Sequence, residues 1–526
     1  MRTLVPFVFA SVATCISLST WATERPNFII IYVDDLGWAD TAVRMMDGDP
    51  ESASDFHQTP NLEALAQRGM KFSCAYAPSP TCTPSRKSIQ FGKTPGRLKY
   101  TFVHDVLALE RKLKWQDEVS LADIVKAADA DYITAHFGKG MAGEQMKTIG
   151  YDVTDEVDGN ADNGNFHGEF ISLKDRTPLP DDNPKRMASL EKSSTDFIRA
   201  HGGRRPFFMM VSHYAVHVPH AARPDLIEKY RNLPRGKYCQ DEDYLPSSEI
   251  SRSRRISHWR LQYAAMIDEV DQGLGAIVDA LEKCEQTENT FIIFTSDNGG
   301  GLTPNGTLRG GKANLYEGGL RVPFVVAGPG VMRGGQCDVP IAQWDLLPTL
   351  HDYSGSDQPL PAGLDGGSLR SVFETRDGHV KRPVEGFVFH YPCYFAPPLS
   401  VIRLGDYKLM EHLLTGEQKL FNVANDYREQ KNLIMQQPAK AAELKQVMSI
   451  YLASIDAEEI QEVYRARFAE LERFELQARY VHTQAMRRAR GDEKAIAAAD
   501  ERLEKDLMRF EKNREECRHA MQGKTF

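Results

Sequence analysis

The chain has 526 residues, of which 41% are hydrophobic and 26% are charged, and its formal net charge is −9 at pH 7. A chain of this length and composition can bury a large core. Its length predicts two domains with additional segments. The negative charge gives no indication of nucleic-acid binding, and it would repel an anionic substrate at long range. Any site for an anion therefore needs local basic residues.

Residues 1–22 are predicted to be a cleaved secretory signal. Arg2 is followed by an apolar run from Leu4 to about Leu18, which is too short to span a bilayer. Ala22 provides the small residue that a signal peptidase accepts. We therefore expect an exported protein, periplasmic or secreted, with no membrane span after signal cleavage.

The first predicted strand covers residues 27–33, a continuous apolar run that is typical of a strand buried on both faces of a parallel sheet. Asp34 and Asp35 follow it directly. Such a pair alone is most often a turn or a helix cap. Ligand sites of open α/β sheets lie at the carboxyl ends of the strands, however, so the pair is also a candidate for ligand binding.

Residues 80–86 present Cys82 in a predicted turn. Pro84 fixes its own φ and biases Thr83 away from the helical region, so we expect a helix to begin at Ser85. Cys82 would then lie at a helix N-terminus, where backbone N–H groups favour an anion. From the residue alone it could be a low-pKa nucleophile, half of a disulfide, a metal ligand or an ordinary buried cysteine. The other cysteines show no Cys-x-x-Cys spacing, so we predict no zinc site.

Two further buried strands are predicted around residues 132–137 and 206–212. The first leads into Lys139, and a lysine at such a place is most often a solvated surface cation. The second leads into a loop whose histidines are His213, His217 and His220. Loop histidines are usually ordinary polar residues, so neither segment indicates a function alone.

A fourth predicted strand, residues 291–296, ends in Asp297 and Asn298. The Asn-Gly pair that follows is by itself a strong turn signal. Together, however, this strand end and the first supply three carboxylates and an amide, an oxygen set that suits Ca²⁺ or Mg²⁺ and does not suit zinc. The sequence therefore predicts a metal site formed by Asp34, Asp35, Asp297 and Asn298.

Residues 308–323 form a glycine-rich stretch that contains Lys312. Its glycines would let the backbone approach a bound anion closely, and Lys312 would supply a compact charge and a proton donor. The alternative is a glycine-rich hairpin with solvated cations.

The C-terminal part of the chain has a different pattern. After a connection at residues 359–361, short antiparallel strands are predicted at 401–410 and 418–423, with an amphipathic helix at 439–453. From residue 456 the spacing of apolar residues predicts two long helices around Gly491, which would form an antiparallel hairpin. This hairpin could pack on the rest of the chain or provide a homo-oligomer contact.

These motifs resemble those of the type I sulfatase family in the alkaline phosphatase superfamily. The signature is Cys82-Thr83-Pro84-Ser85-Arg86 followed by Gly92, Thr94 and Gly96-Arg97. The strand-end pairs, Gly138-Lys139, His217-x-Pro219 and residues 308–323 also match, so the resemblance covers about residues 26–453. It implies an α/β fold with a central mixed, mostly parallel sheet between helices, a smaller C-terminal α+β subdomain and a helical C-terminal extension. The expected segments are 1–22 (signal), 23–358 (catalytic domain), 359–455 (subdomain) and 456–526 (extension).

The resemblance also implies a chemistry. The metal-ligand positions would be Asp34, Asp35, Cys82, Asp297 and Asn298, with Ca²⁺ as the family's usual ion and Mg²⁺ also compatible. A formylglycine-generating enzyme would oxidise Cys82 to Cα-formylglycine, whose aldehyde hydrate is the family's nucleophile. The remaining catalytic positions would be Arg86, Lys139, His217 and Lys312. The implied reaction is the hydrolysis of a sulfate ester, of a small molecule or, as we expect, of a saccharide.

One departure from the family pattern leaves alternatives open. The family sequence Gly-Lys-Trp-His becomes Gly138-Lys139-Gly140-Met141, so Met141 replaces a histidine that contacts the formylglycine hydroxyl in the family. A catalytically impaired protein that binds sulfated glycans is therefore one alternative, and a phosphate or phosphonate monoester hydrolase of the same superfamily is another. His390-Tyr391-Pro392 resembles a family loop that can reach the substrate, although a structural histidine is equally compatible.

Overall fold

The computed structural model describes residues 25–522, apart from residues 104, 142–145, 156–165, 168–176, 235–255, 302, 304 and 491. The predicted signal segment, residues 1–22, lies outside the described residues. Among the helices that the structure describes, none combines the length and the apolar character needed to cross a membrane.

The strands alternate with helices in the first two thirds of the chain and follow one another closely after residue 386. They are β1 (Asn27–Val33), β2 (Met70–Phe72), β3 (Ala75–Tyr76), β4 (Ile133–Gly138), β5 (Val153–Thr154), β6 (Phe166–His167), β7 (Thr177–Pro178), β8 (Phe207–Ser212), β9 (Thr290–Ser296), β10 (Phe324–Ala327), β11 (Gln336–Cys337), β12 (Ile341–Ala342), β13 (Phe387–Tyr391), β14 (Leu399–Leu404), β15 (Tyr407–His412) and β16 (Gln418–Asn422).

The α-helices are longest in the middle and at the C-terminal end of the chain. They are α1 (Pro60–Arg68), α2 (Cys82–Phe91), α3 (Val106–Arg111), α4 (Leu121–Ala128), α5 (Met187–His201), α6 (Pro224–Arg231), α7 (Ile256–Lys283), α8 (Glu317–Leu320), α9 (Leu346–Tyr353), α10 (Arg370–Thr375), α11 (Pro438–Ser454), α12 (Ile460–Ala489) and α13 (Glu493–Met521). Short 3₁₀ turns lie at Pro50–Ser52, Trp115–Asp117, Met146–Ile149, Pro184–Arg186, Thr287–Asn289 and Gln343–Asp345.

The central sheet has eight strands in the order β11-β2-β10-β9-β1-β8-β4-β5. Strand β1 runs parallel to both of its neighbours, β8 and β9. Strand β10 is antiparallel to β9 and to β2. The sheet is therefore mixed and mostly parallel, which confirms the predicted fold class.

Helices cover both faces of this sheet, and β1 shows why. All seven residues of β1 are buried. Phe28 and Ile30 belong to a core that includes Leu347 of α9, whereas Ile29 belongs to a second core that includes Leu274 of α7. A strand with a helical layer on each side needs apolar residues at every position, and this explains the continuous apolar run in the sequence.

Helix α2 begins at Cys82, earlier than the predicted start at Ser85. Thr81 is the extended N-cap residue, and Pro84 is the third residue of the helix. The predicted start was wrong because a proline in the first turn sacrifices no intrahelical hydrogen bond, since an N–H at that position has no partner within the helix. Cys82 nevertheless lies at a helix N-terminus, as predicted.

Strands β13 to β16 form a separate four-stranded antiparallel sheet. Helix α11 packs on it, with Leu444 and Met448 of the helix in one core with Ile402 and Leu409 of the sheet. These elements confirm the strands predicted at 401–410 and 418–423 and the helix predicted at 439–453. The division of the chain into domains at residues 358 and 455 stays a prediction.

Helices α12 and α13 lie antiparallel to each other. The His482 and Asp500 side chains are 2.7 Å apart, and Glu475 is 2.6 Å from Arg514. The residue with the lower number in α12 pairs with the residue with the higher number in α13, so the two helices run in opposite directions. This agrees with the predicted hairpin of two long helices, whereas its role as an oligomer contact stays a prediction.

His390 is a structural residue, which is the second of the two interpretations that the sequence left open for it. It lies in β13 and is 8% exposed. Its Nδ1 is 2.8 Å from Ser400 Oγ, and its Nε2 is 2.8 Å from the main-chain oxygen of Glu458. Both ring nitrogens are thus used in joining β13 to its neighbouring strand and to the segment before α12.

Candidate active site

The carboxyl ends of β1 and β9 bring the predicted strand-end residues together. Val33 and Ser296 are partners in the parallel ladder, so Asp34 and Asp297 follow side by side. Both aspartates are completely buried. Asp35 donates its backbone N–H to Asp297 Oδ1 at 3.0 Å. Its φ of 63° lies in the left-handed region and turns the chain away from the sheet at this point.

Helix α2 places Cys82 and Arg86 beside these carboxylates. Residues four apart lie on the same face of a helix, so both side chains point the same way. The sulfur of Cys82 and one oxygen each of Asp34 and Asp297 all lie within 4.8 Å of one another. Arg86 donates Nε–H to Asp297 Oδ2 at 2.9 Å and Nη1–H to the main-chain oxygen of Lys139 at 2.9 Å.

The remaining predicted residues complete the cluster around Asp35. Lys312 Nζ is 2.6 Å from Asp35 Oδ2, and His217 Nε2 is 3.6 Å from the same oxygen. Asn298 donates its Nδ2–H to Asp35 Oδ1 at 2.8 Å. Lys139, which follows β4, forms an ion pair with Asp34. The structure therefore brings all the residues predicted for catalysis and metal binding into one cluster.

The charges of this cluster shift one another's protonation. Burial, and after it the nearby charge of Asp34, raise the pKa of Asp297 to about 7. Burial acts in the same direction on Asp34, but Lys139 and the other cations outweigh it and hold the pKa of Asp34 well below its usual range. Burial also raises the pKa of the Cys82 thiol. An unmodified Cys82 is thus not the low-pKa nucleophile that the sequence left open.

Cys82 forms no disulfide with any cysteine that the structure describes. The free cysteines are Cys74, Cys82, Cys284, Cys337, Cys393 and Cys517.

The residues present fit a divalent cation. Asp34 Oδ1 and Asn298 Oδ1 are buried and have no hydrogen-bond partner among the described residues. An unpaired buried oxygen is expensive, and a hard cation is the partner that carboxylate and amide oxygens favour. A cation would also relieve the repulsion between Asp34 and Asp297 that raises the pKa of Asp297. The donor set therefore suits Ca²⁺ or Mg²⁺.

Met141 cannot supply the chemistry of a histidine. It is 1% exposed and belongs to the apolar core under the sheet. His213 is buried, and burial together with the charge of Arg86 lowers its pKa to about 4. His220 stacks on Trp259 with ring centroids 5.2 Å apart, and burial lowers its pKa to about 3. Both histidines are therefore neutral at pH 7.

Two residues near the site were not predicted from the sequence. Lys185 Nζ donates to the main-chain oxygen of His217 at 2.6 Å. The guanidinium of Arg86 lies over the ring of Tyr32, 5.2 Å from its centroid. Tyr32 could have been noticed as the one hydroxyl-bearing residue in an apolar run. Lys185 carries no signal, because nothing in its local sequence indicates that the chain returns to the sheet edge there.

Comparison with known proteins gives consistent matches. The family model described as Sulfatase matches residues 26–356. A curated protein named Sulfatase from Formosa agariphila is 28% identical over 505 residues, covering 80% of this chain and 86% of that protein. An ulvan-active sulfatase from the same organism is 26% identical over 429 residues, covering 78% and 77%. The solved structure of Ps i-CgsB has a TM-score of 0.64 and 24% identity, and the match covers 82% of this chain and 93% of that one.

Proposed function

Since this chain belongs to the sulfatase family and is a sulfuric ester hydrolase, we propose that it removes sulfate from sulfated carbohydrates at the cluster around Cys82. The observation that carries the proposal is the convergence of Cys82, Asp34 and Asp297 within 4.8 Å. The ulvan-active relative supports a carbohydrate substrate. An export route to the periplasm or exterior, where sulfated polysaccharides occur, remains part of the proposal.

Formylglycine at position 82 would supply, as its aldehyde hydrate, the oxygen nucleophile that attacks sulfur. The cysteine side chain is only 7% exposed in the folded protein. A maturing enzyme would therefore have to reach residue 82 before folding is complete.

A divalent cation, Ca²⁺ by family habit, would be held by Asp34, Asp35, Asp297 and Asn298 together with the modified residue 82, and it would supply Lewis-acid stabilisation of negative oxygen. The protein holds these ligands in place without it. Arg86 fixes Asp297 through Nε and Nη2, at 2.9 and 2.8 Å. Ser296 Oγ accepts the N–H of Leu36 at 2.9 Å, which fixes the turn that carries Asp35.

Two lysines of the cluster would bind the sulfate group. Lys139 and Lys312 contact Asp34 and Asp35 and are held there, and burial fails to lower their pKa because these carboxylates raise it. Two ammonium groups that stay charged would balance the charge on the sulfuryl oxygens.

His217 is placed to serve the leaving oxygen. Its Nδ1 is 2.6 Å from the main-chain oxygen of Val218, so Nδ1 carries the hydrogen and donates it. The other nitrogen, Nε2, faces Asp35 at 3.6 Å. A proton held at Nε2 would be available to the departing alcohol.

The direct test has two parts. Mass spectrometry of the peptide that contains residue 82 should show formylglycine, and the protein should release sulfate from one or more members of a panel of sulfated saccharides. Cys82→Ala should abolish turnover while the melting temperature stays the same, and Cys337→Ala, which alters another buried free cysteine, should retain activity. Undiminished turnover in Cys82→Ala would falsify the proposal.

Two alternatives are separated by kinetics. Rates on a sulfate and a phosphate ester of the same alcohol distinguish a sulfatase from a phosphate monoester hydrolase of the same superfamily. Met141, buried where the family has a histidine, favours a second candidate, a catalytically impaired protein that binds sulfated glycans. Release of one equivalent of alcohol without further turnover would indicate a damaged step of aldehyde regeneration. Binding without any release would support the glycan-binding candidate, and sustained release would exclude it.

A further inference from the structure

The loop that carries Lys312 is a closed segment, residues 309–318. The N–H of Gly318 donates to the main-chain oxygen of Arg309 at 2.8 Å and so joins the two ends. Within the loop, Lys312 N–H donates to the oxygen of Gly300 at 3.1 Å, and Ala313 N–H donates to the oxygen of Pro80 at 2.8 Å. The loop therefore rests between the end of β9 and the turn before Cys82. The position of the Lys312 ammonium depends on what holds the ends of this loop.

Lys408 of the C-terminal sheet and Glu429 of the turn that follows this sheet hold both ends. Lys408 of β15 lies 2.9 Å from Glu317 and 2.9 Å from Glu429, and all three side chains are completely buried. Glu429 Oε2 accepts the backbone N–H of Glu317 at 2.7 Å. The main-chain oxygen of Glu429 accepts Nη1–H of Arg309 at 3.1 Å. We call Glu317, Lys408 and Glu429 the clamp.

The clamp is also tied to the catalytic side of the molecule. Glu317 Oε2 accepts the hydroxyl of Tyr76 at 2.7 Å and pairs with Arg321 at 2.5 Å. Burial alone would lower the pKa of Lys408, but Glu317 and Glu429 raise it, so the lysine stays charged. A charged lysine with two buried carboxylate partners has a single favourable position, and it fixes both partners.

We infer that Lys408 and Glu429 are positioning residues for Lys312, so that the C-terminal sheet is a working part of the active site. The reason is the route of the contacts: Lys408 fixes Glu429, Glu429 holds Arg309 and Glu317, and these residues bracket the loop whose tip places the Lys312 ammonium 2.6 Å from Asp35. This inference rests on the role proposed for Lys312 in binding sulfate.

The test uses a charge-balanced replacement. Lys408→Met alone would leave the buried carboxylate of Glu429 without its cation, and the variant could fail to fold. In the double variant Lys408→Met with Glu429→Leu, apolar groups of similar size replace the ion pair, which proteins often tolerate. The matched control is Lys445→Met with Glu411→Leu, which removes a partly exposed ion pair between helix α11 and the same strand β15.

The first readout is hydrogen exchange followed by mass spectrometry. We expect the amides of Lys312, Ala313 and Gly318 to exchange at least about 10-fold faster in the clamp variant, while amides of β1 and β9 are unchanged. The control variant should exchange as the unaltered protein does. Unchanged exchange in the loop of the clamp variant would overturn the inference.

The second readout is a double-mutant cycle on kcat/KM. Lys312→Met should lower kcat/KM about 10²–10³-fold in the unaltered protein. In the clamp variant, the fold-loss caused by the same substitution should be at least about 10 times smaller, because a displaced Lys312 already contributes less to kcat/KM. If the clamp had only a structural role, the fold-losses in kcat/KM caused by the clamp variant and by Lys312→Met would multiply independently. That result would contradict the inference. If the unaltered protein hydrolyses no sulfate ester, the proposed function fails, and the exchange experiment alone decides whether the clamp holds the loop.

Discussion

Two clusters of buried charge differ in how closely their oxygens are paired with cations. In the clamp, each carboxylate lies 2.9 Å from the ammonium of Lys408, Glu429 Oε1 as an ion pair without a hydrogen bond, and Glu317 has further partners. In the candidate active site, Asp34 Oδ1 and Asn298 Oδ1 have no hydrogen-bond partner among the described residues, and Arg86 Nη2 is 3.8 Å from Asp34 Oδ1. Close ion pairing is what a scaffold needs, whereas converging oxygens without hydrogen-bond partners indicate a partner that is not part of the chain.

A third buried charge shows that one unpaired oxygen is not enough for this conclusion. Glu269 of α7 is 6% exposed, and its Oε2 has no hydrogen-bond partner among the described residues. Burial raises its pKa to about 8, although Arg223 acts in the opposite direction. This carboxyl group can keep its proton when it is buried. Among the described residues, Glu269 belongs to no group of converging metal-ligand atoms, whereas Asp34 and Asp297 do.

The strongest test of the comparison is Asp297→Asn in the active site. We expect kcat/KM for sulfate release to fall about 10³-fold, because one cation ligand loses its charge and Arg86 loses an ionic partner. The melting temperature should change little, because the variant also removes the repulsion between Asp34 and Asp297. Asp365→Asn, which weakens an ordinary ion pair with Arg97, should retain activity. A large loss of stability in Asp297→Asn with activity preserved would reverse the roles of the two clusters.

The opposite pattern is expected for Lys408→Met in the clamp. Removing the cation leaves the buried carboxylate of Glu429 uncompensated, whereas Glu317 keeps its ion pair with Arg321. The free energy of unfolding should therefore fall by about 3–5 kcal/mol. Urea unfolding followed by circular dichroism would measure this loss. Lys445→Met, in a partly exposed pair, should lower the free energy of unfolding by no more than about 1 kcal/mol. Equal losses in the two variants would show that burial of the clamp is unimportant.

Cation binding should distinguish the clusters by a smaller effect. After chelation, Ca²⁺ added at 100 times its dissociation constant should raise the free energy of unfolding by about 2.7 kcal/mol. Thermal unfolding with and without the ion would measure it, and Mg²⁺ can be compared in the same assay. Asp34→Asn should lose the effect, because its unpaired oxygen belongs to the donor set. If that variant responds fully to the ion, the cation binds elsewhere.

Glu269→Gln should change the pH dependence of stability. Between an unfolded pKa near the ordinary 4.5 and a folded pKa of about 8, the folded protein holds a proton that the unfolded chain has lost. The stability of the unaltered protein therefore falls as pH rises through this window, by at most about 1.4 kcal/mol per pH unit. We expect the two proteins to match near pH 4.5 and Glu269→Gln to be more stable by roughly 2 kcal/mol at pH 8. Urea unfolding at pH 5, 6.5 and 8 checks this, and parallel profiles would contradict it.

The sequence predicts which residues meet at the candidate active site, because the signals for them are local. Asp34 and Asp297 each follow a continuous apolar strand, and the ends of parallel strands must meet at one edge of the sheet. The contact between Arg86 and Asp297 was not predictable, because the two residues are far apart in the chain and neither carries a pairing signal. The same holds for the clamp, where Lys408 and Glu429 look like ordinary surface residues of a strand and a turn. The sequence left two interpretations open for His390, because a motif gives no information on which partners its ring nitrogens meet.

The left-handed backbone conformation of Asp35 limits which substitutions are tolerated at this position. Its φ of 63° is readily adopted by glycine, asparagine and aspartate, and it is strained for most other side chains. An alanine scan at this position would mix backbone strain with the loss of a charge, whereas Asp35→Asn changes the charge alone. In a library with every residue type at position 35, we expect the variants that fold to carry mainly these three residue types. Backbone strain would therefore exclude most substitutions whether or not the carboxylate is needed for activity.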